Sequence, residues 1–252
     1  MVKVSIITIS YNNSSTIAET IDSVLMQSYR NIEYIIVDGK SADNTIGIIK
    51  SYGAKINKFV SEKDDGIYHA MNKGIRLAEG DIIGFINADD KLNSKNCLSK
   101  IVNLFQAHDI DIVYGDKIYT KEYEPDKIVR YWKAGEYNRK NFKKGWMPPH
   151  LSTYIKTAFY REYGLFRTDF RIAADYELLF RFMYKYNAKS KYLPMVIARM
   201  RAGGISNRSI KNILVSNYEV YKSWKINGFS VSPFIIARKP ISKVTQILGY
   251  KL

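Results

Sequence analysis

The sequence predicts an α/β protein of Rossmann-like type, with a mostly parallel sheet and helices on both of its faces. The first observation is that short apolar runs rich in β-branched residues alternate with amphipathic stretches over residues 1–116. Strands that alternate with helices form parallel sheets, because each helix returns the chain to the same end of the sheet. The second observation is that polar residues follow several of these runs. Ligands bind at the carboxyl ends of parallel strands, so this edge is expected to hold the site.

The predicted strands of the first half are short, apolar and bounded by turn residues: 2–9, 32–37, 58–61, 81–88 and 111–114. The predicted helices lie between them: 17–25, 43–52, 68–78 and 96–108. Thr16 and Glu19 have the spacing of a capping box at the start of the first helix. Ile17, Ile21 and Val24 form one apolar face of that helix, which predicts that it packs on the sheet.

The second half is less regular. Strands are predicted at 127–132 and 191–201, and helices at 175–185 and about 209–226. A basic, aromatic loop covers 139–150 and a glycine-containing loop covers 203–206. No internal repeat or low-complexity linker interrupts the chain. One continuous domain is therefore predicted up to Gly228, followed by a basic amphipathic segment at 229–252.

The composition is that of a soluble globular protein, with 46% hydrophobic and 25% charged residues in a chain of 252. Cys97 is the single cysteine, so an internal disulfide is excluded and a reducing compartment is indicated. The chain opens without a basic-then-apolar signal, and no apolar stretch has the length of a membrane span. These features predict a cytoplasmic protein.

Charge is divided unequally along the chain. Residues 1–116 carry 12 Lys and Arg against 15 Asp and Glu, a net charge of −3, whereas residues 117–252 carry 27 against 9, a net charge of +18. The asymmetry indicates an anionic partner of the second half, such as a membrane surface, nucleic acid or polyphosphate. A generally basic protein with solvated lysines is the alternative. The segment 229–252 suits either an anionic membrane interface or a helix pair packed on the domain.

Asp89 and Asp90 follow the apolar run of the fourth predicted strand. Two adjacent carboxylates repel each other unless a positive charge lies beside them. A divalent metal that holds a phosphate-bearing substrate would supply that charge, and an ordinary solvated acidic turn is the alternative. Asp38 ends the second strand, where its carboxylate could accept hydrogen bonds from a base or ribose or simply form the turn before Gly39.

Two other classes of protein were weighed against the pattern. Neither a dinucleotide fingerprint nor a P-loop follows the first strand, which continues as SYNN at 10–13. A nucleotidyltransferase would ordinarily have a glycine-rich, arginine-bearing loop there. A nucleic-acid-binding protein is the non-enzymatic alternative, suggested by the net charge of +15 and the 20 tyrosines. No nucleic-acid-binding motif supports it, so no nucleic-acid partner is expected.

Six segments occur in a fixed order: VSIITISYN at 4–12, SVLMQSY at 23–29, EYIIVDGKSADNT at 33–45, DGIYHAMNKG at 65–74, AEGD at 78–81 and NADD at 87–90. In order and spacing they resemble family 2 glycosyltransferases, which are inverting enzymes with the GT-A fold. The resemblance extends weakly through ADYEL at 174–178 and GGIS at 203–206. It is strongest to bacterial enzymes that assemble O-antigen, capsule or exopolysaccharide units.

The resemblance implies a single GT-A domain over 1–228, with a nucleotide-binding half at 1–116 and an acceptor half at 117–228. It implies transfer from a nucleotide-diphosphate sugar, expected to be a UDP-sugar, to a hydroxyl of a glycan or polyprenyl-linked acceptor. A divalent metal, Mn²⁺ or Mg²⁺, would neutralise the diphosphate as it leaves. The enzyme would act in the cytoplasm, or peripherally on the cytoplasmic face of the inner membrane.

The resemblance also assigns residues around the donor. Those expected at the nucleotide are Ser10, Tyr11, Asp38, Asp65 and Asp89, and those expected at the metal are Asp89 and Asp90. Asp38 would bind the base, Asp89 would contact the ribose or the metal, and Asp90 would hold the metal. The pair follows an alanine as Asp-Asp, whereas the family usually has Asp-x-Asp, so the division of roles between the two carboxylates stays open.

Inversion requires one in-line displacement, in which the acceptor hydroxyl gives its proton to a base on the face opposite the leaving group. The match at ADYEL implies that Asp175 is that base, with Glu177 as second choice. Asp175 also suits the dipole at the start of its predicted helix, which is the ordinary structural role of an acid there. The side chains expected to offset charge on the diphosphate are His150, Arg199, Arg201, Lys143 and Lys144.

Overall fold

The computed structural model describes residues 1–121, 124, 127–202 and 210–231. The strands are β1 (Val4–Ser10), β2 (Ile32–Asp38), β3 (Lys58–Ser61), β4 (Ile82–Phe85), β5 (Lys91–Leu92), β6 (Ile112–Thr120), β7 (Ile128–Trp132), β8 (Thr153–Lys156) and β9 (Ser190–Arg201). The helices are α1 (Ile17–Leu25), α2 (Thr45–Ser51), α3 (Ile67–Leu77), α4 (Cys97–Ala107), α5 (Arg139–Phe142), α6 (Thr157–Tyr163), α7 (Ala174–Leu179) and α8 (Ile210–Ile226).

These strands form one sheet in the order β3-β2-β1-β4-β8-β6-β9-β5, with β7 paired to β6. Strands β1 to β4 are parallel neighbours, as the alternation of strands and helices predicts. Strand β8 then runs antiparallel between β4 and β6, and β6 pairs in parallel with β9. The predicted α/β sheet is present, and its antiparallel pairs all involve a strand that follows β4 in the chain.

The register brings the ends of three strands to one line. Ser10 at the end of β1 pairs with Asp38 at the end of β2, and Asp38 pairs with Ser61 at the end of β3. Helix α3 lies closely over β1, because a Cβ atom at Gly74 would lie 2.4 Å from Ile7 Cγ2. A larger residue there would push α3 off the sheet, so this glycine keeps the helix close to the strand ends.

Helix α1 begins without the predicted capping box. The Thr16 hydroxyl donates to the Ala88 carbonyl (2.9 Å) and makes no cap hydrogen bond to its own helix. Glu19 pairs instead with Lys91 and Arg201. The capping prediction is wrong because tertiary contacts give both side chains partners outside the helix. Through those partners α1 is tied to the loop that follows β4.

The second half has an aromatic core. The ring of Phe142 lies within 6.2 Å, centroid to centroid, of several others: Tyr137, Trp146, Tyr176, Phe180 and Tyr184. The helix predicted at 175–185 is α-helical in α7 and continues as a π-helical turn over Phe180–Lys185. Trp224 of α8 is fully buried 4.5 Å from Phe180, so α8 packs on this turn as part of the same core.

Among the residues that the structure describes, none of the helices combines the length and the apolar composition needed to cross a bilayer. The glycine-containing loop predicted at 203–206 and most of the C-terminal segment, 232–252, lie outside the described residues. Phe229 and Val231, at the start of that segment, pack against the core.

Candidate active site

Asp38 lies at the point where β1, β2 and β3 end together. Its side chain is fully buried. One carboxylate oxygen accepts from the hydroxyls of Ser10 (2.9 Å) and Ser41 (2.5 Å), and the other accepts from the Ser61 hydroxyl (2.8 Å) and the Ser41 N–H (2.9 Å). A carboxylate has about four acceptor positions, so these donors saturate it. Asp38 therefore fixes the floor of the strand edge, and a direct bond to a base would have to share an oxygen with a serine.

Tyr11 is the exposed aromatic residue of this edge, with 63% of its surface accessible. The loop that carries it is cross-linked to the loop after β2, since the Asn12 N–H donates to Ser41 Oγ (2.8 Å) and Asn12 Oδ1 accepts from the Ala42 N–H (2.8 Å). An exposed ring on a rigid loop is a platform on which a nucleotide base can stack.

Asp65 is exposed in the loop between β3 and α3, at the same edge of the sheet. Its neighbour Asp64 is largely buried and accepts from Lys73 Nζ (2.7 Å) through one oxygen. The other oxygen of Asp64 is buried and has no hydrogen-bond partner. Asp64 was not among the predicted site residues, because the segment that resembles the family begins at Asp65.

The two acidic residues of the loop after β4 differ in burial. Asp90 is 2% exposed; one oxygen accepts from the Arg201 N–H (3.2 Å) and the other from Asn87 Nδ2 (3.3 Å). Burial, with the neighbouring negative charge of Asp89, raises the pKa of Asp90 well above its usual range. Asp89 is half-buried. A metal role for Asp90 would require it to give up these internal bonds, which disfavours it, and Asp89 is the more exposed of the two carboxylates.

Asn87 is a second residue of this loop that sequence reasoning missed. Its side-chain oxygen is buried and has no hydrogen-bond partner, while its amide nitrogen is held by Asp90. Amide and carboxylate oxygens are the ligands that Mg²⁺ and Mn²⁺ prefer, so Asn87 adds a candidate oxygen ligand to the two carboxylates of this loop. The described residues contain no group of three or more His, Cys, Asp or Glu suited to a metal. Such a cation would therefore depend on substrate oxygens for part of its coordination.

Positive side chains surround this loop. A cleft beside Asp89 and Asp90 is lined by Thr16, Glu19, Thr20, Lys91, Thr120, Arg199 and Arg201. Lys117 of β6 is 6% exposed and lies over the rings of Tyr119 (4.8 Å) and Trp132 (5.0 Å). Its charge acts on Asp90, where it opposes the rise in pKa. Lys117 was absent from the predicted cations because nothing in its sequence context marks it as buried.

Asp175 is half-buried at the start of α7, and its carboxylate accepts from the Tyr176 N–H (2.8 Å). Tyr68 of α3 reaches the same place, since its hydroxyl donates to the Ile172 carbonyl (2.7 Å). Burial, with the negative charge of Asp175, raises the pKa of Tyr68 well above its usual range. The structure thus places Asp175 beside α3, the helix that begins at the strand edge.

Glu177 differs from Asp175 in every respect that matters for proton transfer. It is 1% exposed, and its carboxylate accepts from Arg181 Nε (3.0 Å) and from Asn227 Nδ2 (3.0 Å). A carboxylate with a paired charge and satisfied oxygens inside the core is a structural acid. The structure therefore does not support the second choice of base.

His150 is buried between the rings of Phe85 (5.2 Å) and Phe166 (5.4 Å), and its Nε2 atom has no hydrogen-bond partner. Burial lowers the pKa of His150 to about 4, an effect that the negative charge of Asp175 only partly offsets. The imidazole is therefore neutral near pH 7. The prediction that His150 supplies positive charge is wrong, because the chain around it excludes water.

Comparison with known proteins identifies the family. A sequence model of Glycosyl transferase family 2 matches residues 5–166, which is more than half of the chain. The chain belongs to family 2. The resemblance drawn from its motifs is confirmed, and so is the prediction that it is a glycosyltransferase. The match also decides between the two enzyme classes that were weighed, in favour of glycosyl transfer.

Similar bacterial proteins are also named glycosyltransferases. Over 208 residues it is 27% identical to a PGL/p-HBAD biosynthesis glycosyltransferase of Mycobacterium tuberculosis, covering 81% of this chain and 78% of that protein. It is 26% identical over 218 residues to an uncharacterized glycosyltransferase of Rickettsia typhi, covering 83% of this chain and 68% of that protein.

Solved structures share the fold. TarS 1–349 of S. aureus, in complex with UDP-GlcNAc, superposes with a TM-score of 0.69 at 16% identity, covering 98% of this chain and 73% of that one. The mannosyltransferase PcManGT from Pyrobaculum calidifontis, in complex with GDP-Man and Mn²⁺, gives 0.66 at 18% identity, covering 94% and 69%. The predicted GT-A fold is confirmed.

The family 2 match ends at residue 166, before Asp175 and before α8. The residues expected at the donor lie within the matched range, and the residue expected to act as base lies beyond it. The two parts of the site therefore rest on different stretches of the chain, which meet through Tyr68 and Ile172.

Proposed function

We propose that this family 2 enzyme transfers a sugar from a UDP-sugar to a hydroxyl of a glycan or polyprenyl-linked acceptor, with inversion, in the synthesis of a bacterial surface polysaccharide. The observation that carries the proposal is the position of Asp175, a half-buried carboxylate held beside Tyr68 of α3. Because α3 follows β3 at the edge where β1, β2 and β3 end, this contact brings Asp175 to the same side of the molecule as the proposed donor site.

The nucleotide would lie on the edge formed by β1, β2 and β3. Tyr11 offers an exposed ring for stacking, Asp38 holds the floor rigid, and Asp65 is an exposed carboxylate at the rim. A uracil ring presents one N–H donor between two carbonyl acceptors, which suits a rim carboxylate. TarS binds UDP-GlcNAc and PcManGT binds GDP-Man, so proteins of this fold accept nucleotide sugars with either base.

Asn87 and Asp89 would hold a divalent metal, Mn²⁺ or Mg²⁺, together with oxygens of the diphosphate. Asp90 would orient the Asn87 side chain by accepting a hydrogen bond from its Nδ2 atom. Asn87 Oδ1 has no hydrogen-bond partner in the protein. When bound, the cation neutralises negative charge that develops on the departing diphosphate. Lys117, Arg199 and Arg201 add positive charge around the same loop.

Asp175 would accept the proton of the acceptor hydroxyl as that oxygen bonds to the anomeric carbon. The bond from the anomeric carbon to the diphosphate breaks in the same step, and its electron pair leaves with UDP. A single displacement inverts the anomeric configuration. Because Glu177 is bonded to Arg181 and Asn227, the start of α7 supplies one available carboxylate rather than two. This arrangement supports one displacement by a base rather than two by a nucleophile.

The second half would bring the enzyme to its acceptor. We place the protein in the cytoplasm, attached peripherally to an anionic membrane through residues 229–252, with residues 1–228 as the catalytic domain. The support is a net charge of +18 beyond residue 116 and six basic residues without an acidic one after Glu219. Truncation after Gly228 should release the protein from anionic liposomes. A truncated chain that sediments with them as fully as the whole chain would contradict the proposal.

A thermal-shift panel of UDP, GDP, CMP and dTDP, each with and without Mn²⁺, tests the donor. A ligand that binds only the folded state adds about 2.7 kcal/mol of stability at a hundredfold excess over its Kd. We expect UDP with Mn²⁺ to raise the melting temperature most. Equal stabilisation by all four would contradict uridine selectivity, and no response to any of them would contradict the nucleotide site.

A further inference from the structure

Glu219 of α8 makes an unusual set of contacts with the loop that precedes Asp175. Its carboxylate is 6% exposed and accepts three consecutive backbone N–H groups, from Arg171 (2.7 Å), Ile172 (2.9 Å) and Ala173 (2.8 Å). Hydrogen bonds to an ionised carboxylate are short and strong, particularly away from water. One side chain therefore fixes the backbone of three successive residues.

The start of α7 lacks a cap of its own. Ala173 occupies the N-cap position and has no side-chain oxygen to accept a helix N–H. Glu219, 46 residues further along the chain, binds instead the N–H groups of Ala173 and of the two residues before it. The negative charge also lies at the positive end of the helix dipole, where it is stabilising.

A second contact holds the same loop through a backbone carbonyl rather than an N–H group. The Tyr68 hydroxyl donates to the carbonyl of Ile172, whose N–H is held by Glu219. Ile172 is thus bonded at both its N–H and its C=O, three residues before Asp175. Neither contact comes from a neighbour in sequence, so the loop takes its shape from α3 and α8.

Helix α8 is itself firmly seated. Trp224 is fully buried and its Nε1 donates to Tyr176 Oη (3.0 Å), and Asn227 Nδ2 donates to Glu177 Oε1 (3.0 Å). These bonds join α8 and the residue after it to Tyr176 and Glu177, the two residues that follow Asp175 in α7. The position of the Glu219 carboxylate relative to α7 is therefore set by a packed interface rather than by one flexible side chain.

We propose that Glu219 is a positioning residue for the catalytic base: through the N–H groups of Arg171, Ile172 and Ala173 it holds Asp175 in line with the acceptor hydroxyl. This inference rests on the proposed function of Asp175. It extends the active site to a helix beyond the range that the family 2 model matches. A misplacement of about 1 Å in a reacting group can lower a rate by about a hundredfold, so a loosened loop is expected to affect turnover directly.

The test compares Glu219→Gln with the matched control Lys222→Gln, which removes the exposed ion pair of α8 with Asp169. The control should behave as wild type. In Glu219→Gln the single-turnover transfer rate at saturating donor should fall at least tenfold, while the donor Kd stays within twofold. Amide hydrogen exchange of residues 171–173 should accelerate in the absence of any substrate.

The same substitution is then made in an Asp175→Asn background. If Glu219 acts through Asp175, Glu219→Gln should lower the residual rate of the Asp175→Asn enzyme by less than threefold, because the effects of residues that act as a unit are not additive. A rate of Glu219→Gln within twofold of wild type would overturn the inference. So would an equal loss in both backgrounds, or a loss of donor affinity that matches the loss of rate.

Failure of the proposed base is read separately. An Asp175→Asn variant that transfers within threefold of wild type contradicts the base and this inference together, whereas an inactive Asp175→Asn with a fully active Glu219→Gln contradicts this inference alone. Should Glu219→Gln not fold, Tyr68→Phe removes one hydroxyl from the same loop and takes its place. An equal loss for Tyr68→Phe in both backgrounds would overturn the inference, and a loss confined to the wild-type background would support it.

Discussion

The two halves of the molecule build their parts of the site in different ways. In residues 1–116, the side chains meet because parallel strands end in register, as Ser10, Asp38 and Ser61 do. In the second half, Asp175 reaches the site through contacts between distant residues, such as Tyr68 with Ile172, 104 positions apart. Strand register thus assembles the proposed donor edge, whereas tertiary contacts position the proposed base. The two functions should therefore fail separately when single residues are changed.

The largest separation is expected at Asp175. The amide oxygen of asparagine can still accept the Tyr176 N–H, so Asp175→Asn should fold and melt as wild type does. Donor affinity should be unchanged, since the base faces the acceptor, while the transfer rate should fall by about 10²–10⁴-fold. Calorimetric donor binding and single-turnover transfer, measured on one preparation, check this. A variant within threefold of the wild-type rate would return Asp175 to a structural role.

The donor half should show the opposite pattern at Asp89. Asp89→Asn keeps the shape of the side chain but removes a charge from the loop that would hold the metal, so the Mn²⁺-dependent part of UDP affinity should fall by about tenfold to a hundredfold. Asp90→Asn should cost less, because Asp90 is buried and would act on the metal only through its hydrogen bond with Asn87. A larger loss of Mn²⁺ dependence in Asp90→Asn would show that the loop rearranges to expose Asp90.

The same difference explains what the sequence could predict. Strands β1 to β4 and the residues at their ends were predictable, because period-2 and period-3.6 patterns and turn residues are local signals, whereas β5 and β8 were not predicted. That three serines saturate Asp38 was not predictable, since Ser10, Ser41 and Ser61 converge only after the register forms. Even less could be predicted in the second half, because the helices that support Asp175 are not linked to it by any local sequence pattern.

Single residues show where local reasoning fails. Thr16 and Glu19 have the spacing of a capping box, yet both side chains bond to residues distant in the sequence. His150 follows two prolines in a basic stretch, which suggests exposure, yet two aromatic rings enclose it. Asn87 could have been found from its place two residues before Asp89, because an amide oxygen is a metal ligand as a carboxylate is.

His150 should give the second half a distinctive pH dependence. Burial holds its folded pKa at about 4, below the ordinary value of 6.5. The unfolded chain therefore binds a proton first, and stability present above pH 6.5 is lost as pH falls toward 4, by about 3 kcal/mol in all. Urea unfolding between pH 7 and 4.5 measures this loss. His150→Leu should flatten the dependence, and an unchanged slope in that variant would show that His150 is not its source.

Glu33 should give the first half a lower window and a smaller effect. Burial alone would raise its pKa, but hydrogen bonds from Ser5, the Glu79 N–H, Lys58 and Lys3 outweigh burial and hold the pKa at about 2. Stability present above pH 4.5 is then lost as pH falls toward 2. Because Lys3 and Lys58 are partly exposed, we expect about 2 kcal/mol after screening. Glu33→Gln should remove this loss without changing the transfer rate, and a variant as acid-sensitive as wild type would contradict the assignment.

The anomeric configuration of the product tests most directly whether the two halves act on opposite faces of the sugar. The account places the diphosphate on the first half and a single base, Asp175, on the second, so the reaction is one displacement at the anomeric carbon. Proton NMR of the product, read through the coupling between H1 and H2 of the transferred sugar, reports the configuration of the new glycosidic bond. We expect a product whose anomeric configuration is opposite to that of the donor. A product that keeps the configuration of the donor would exclude a single in-line displacement and would contradict the division of the site between the halves.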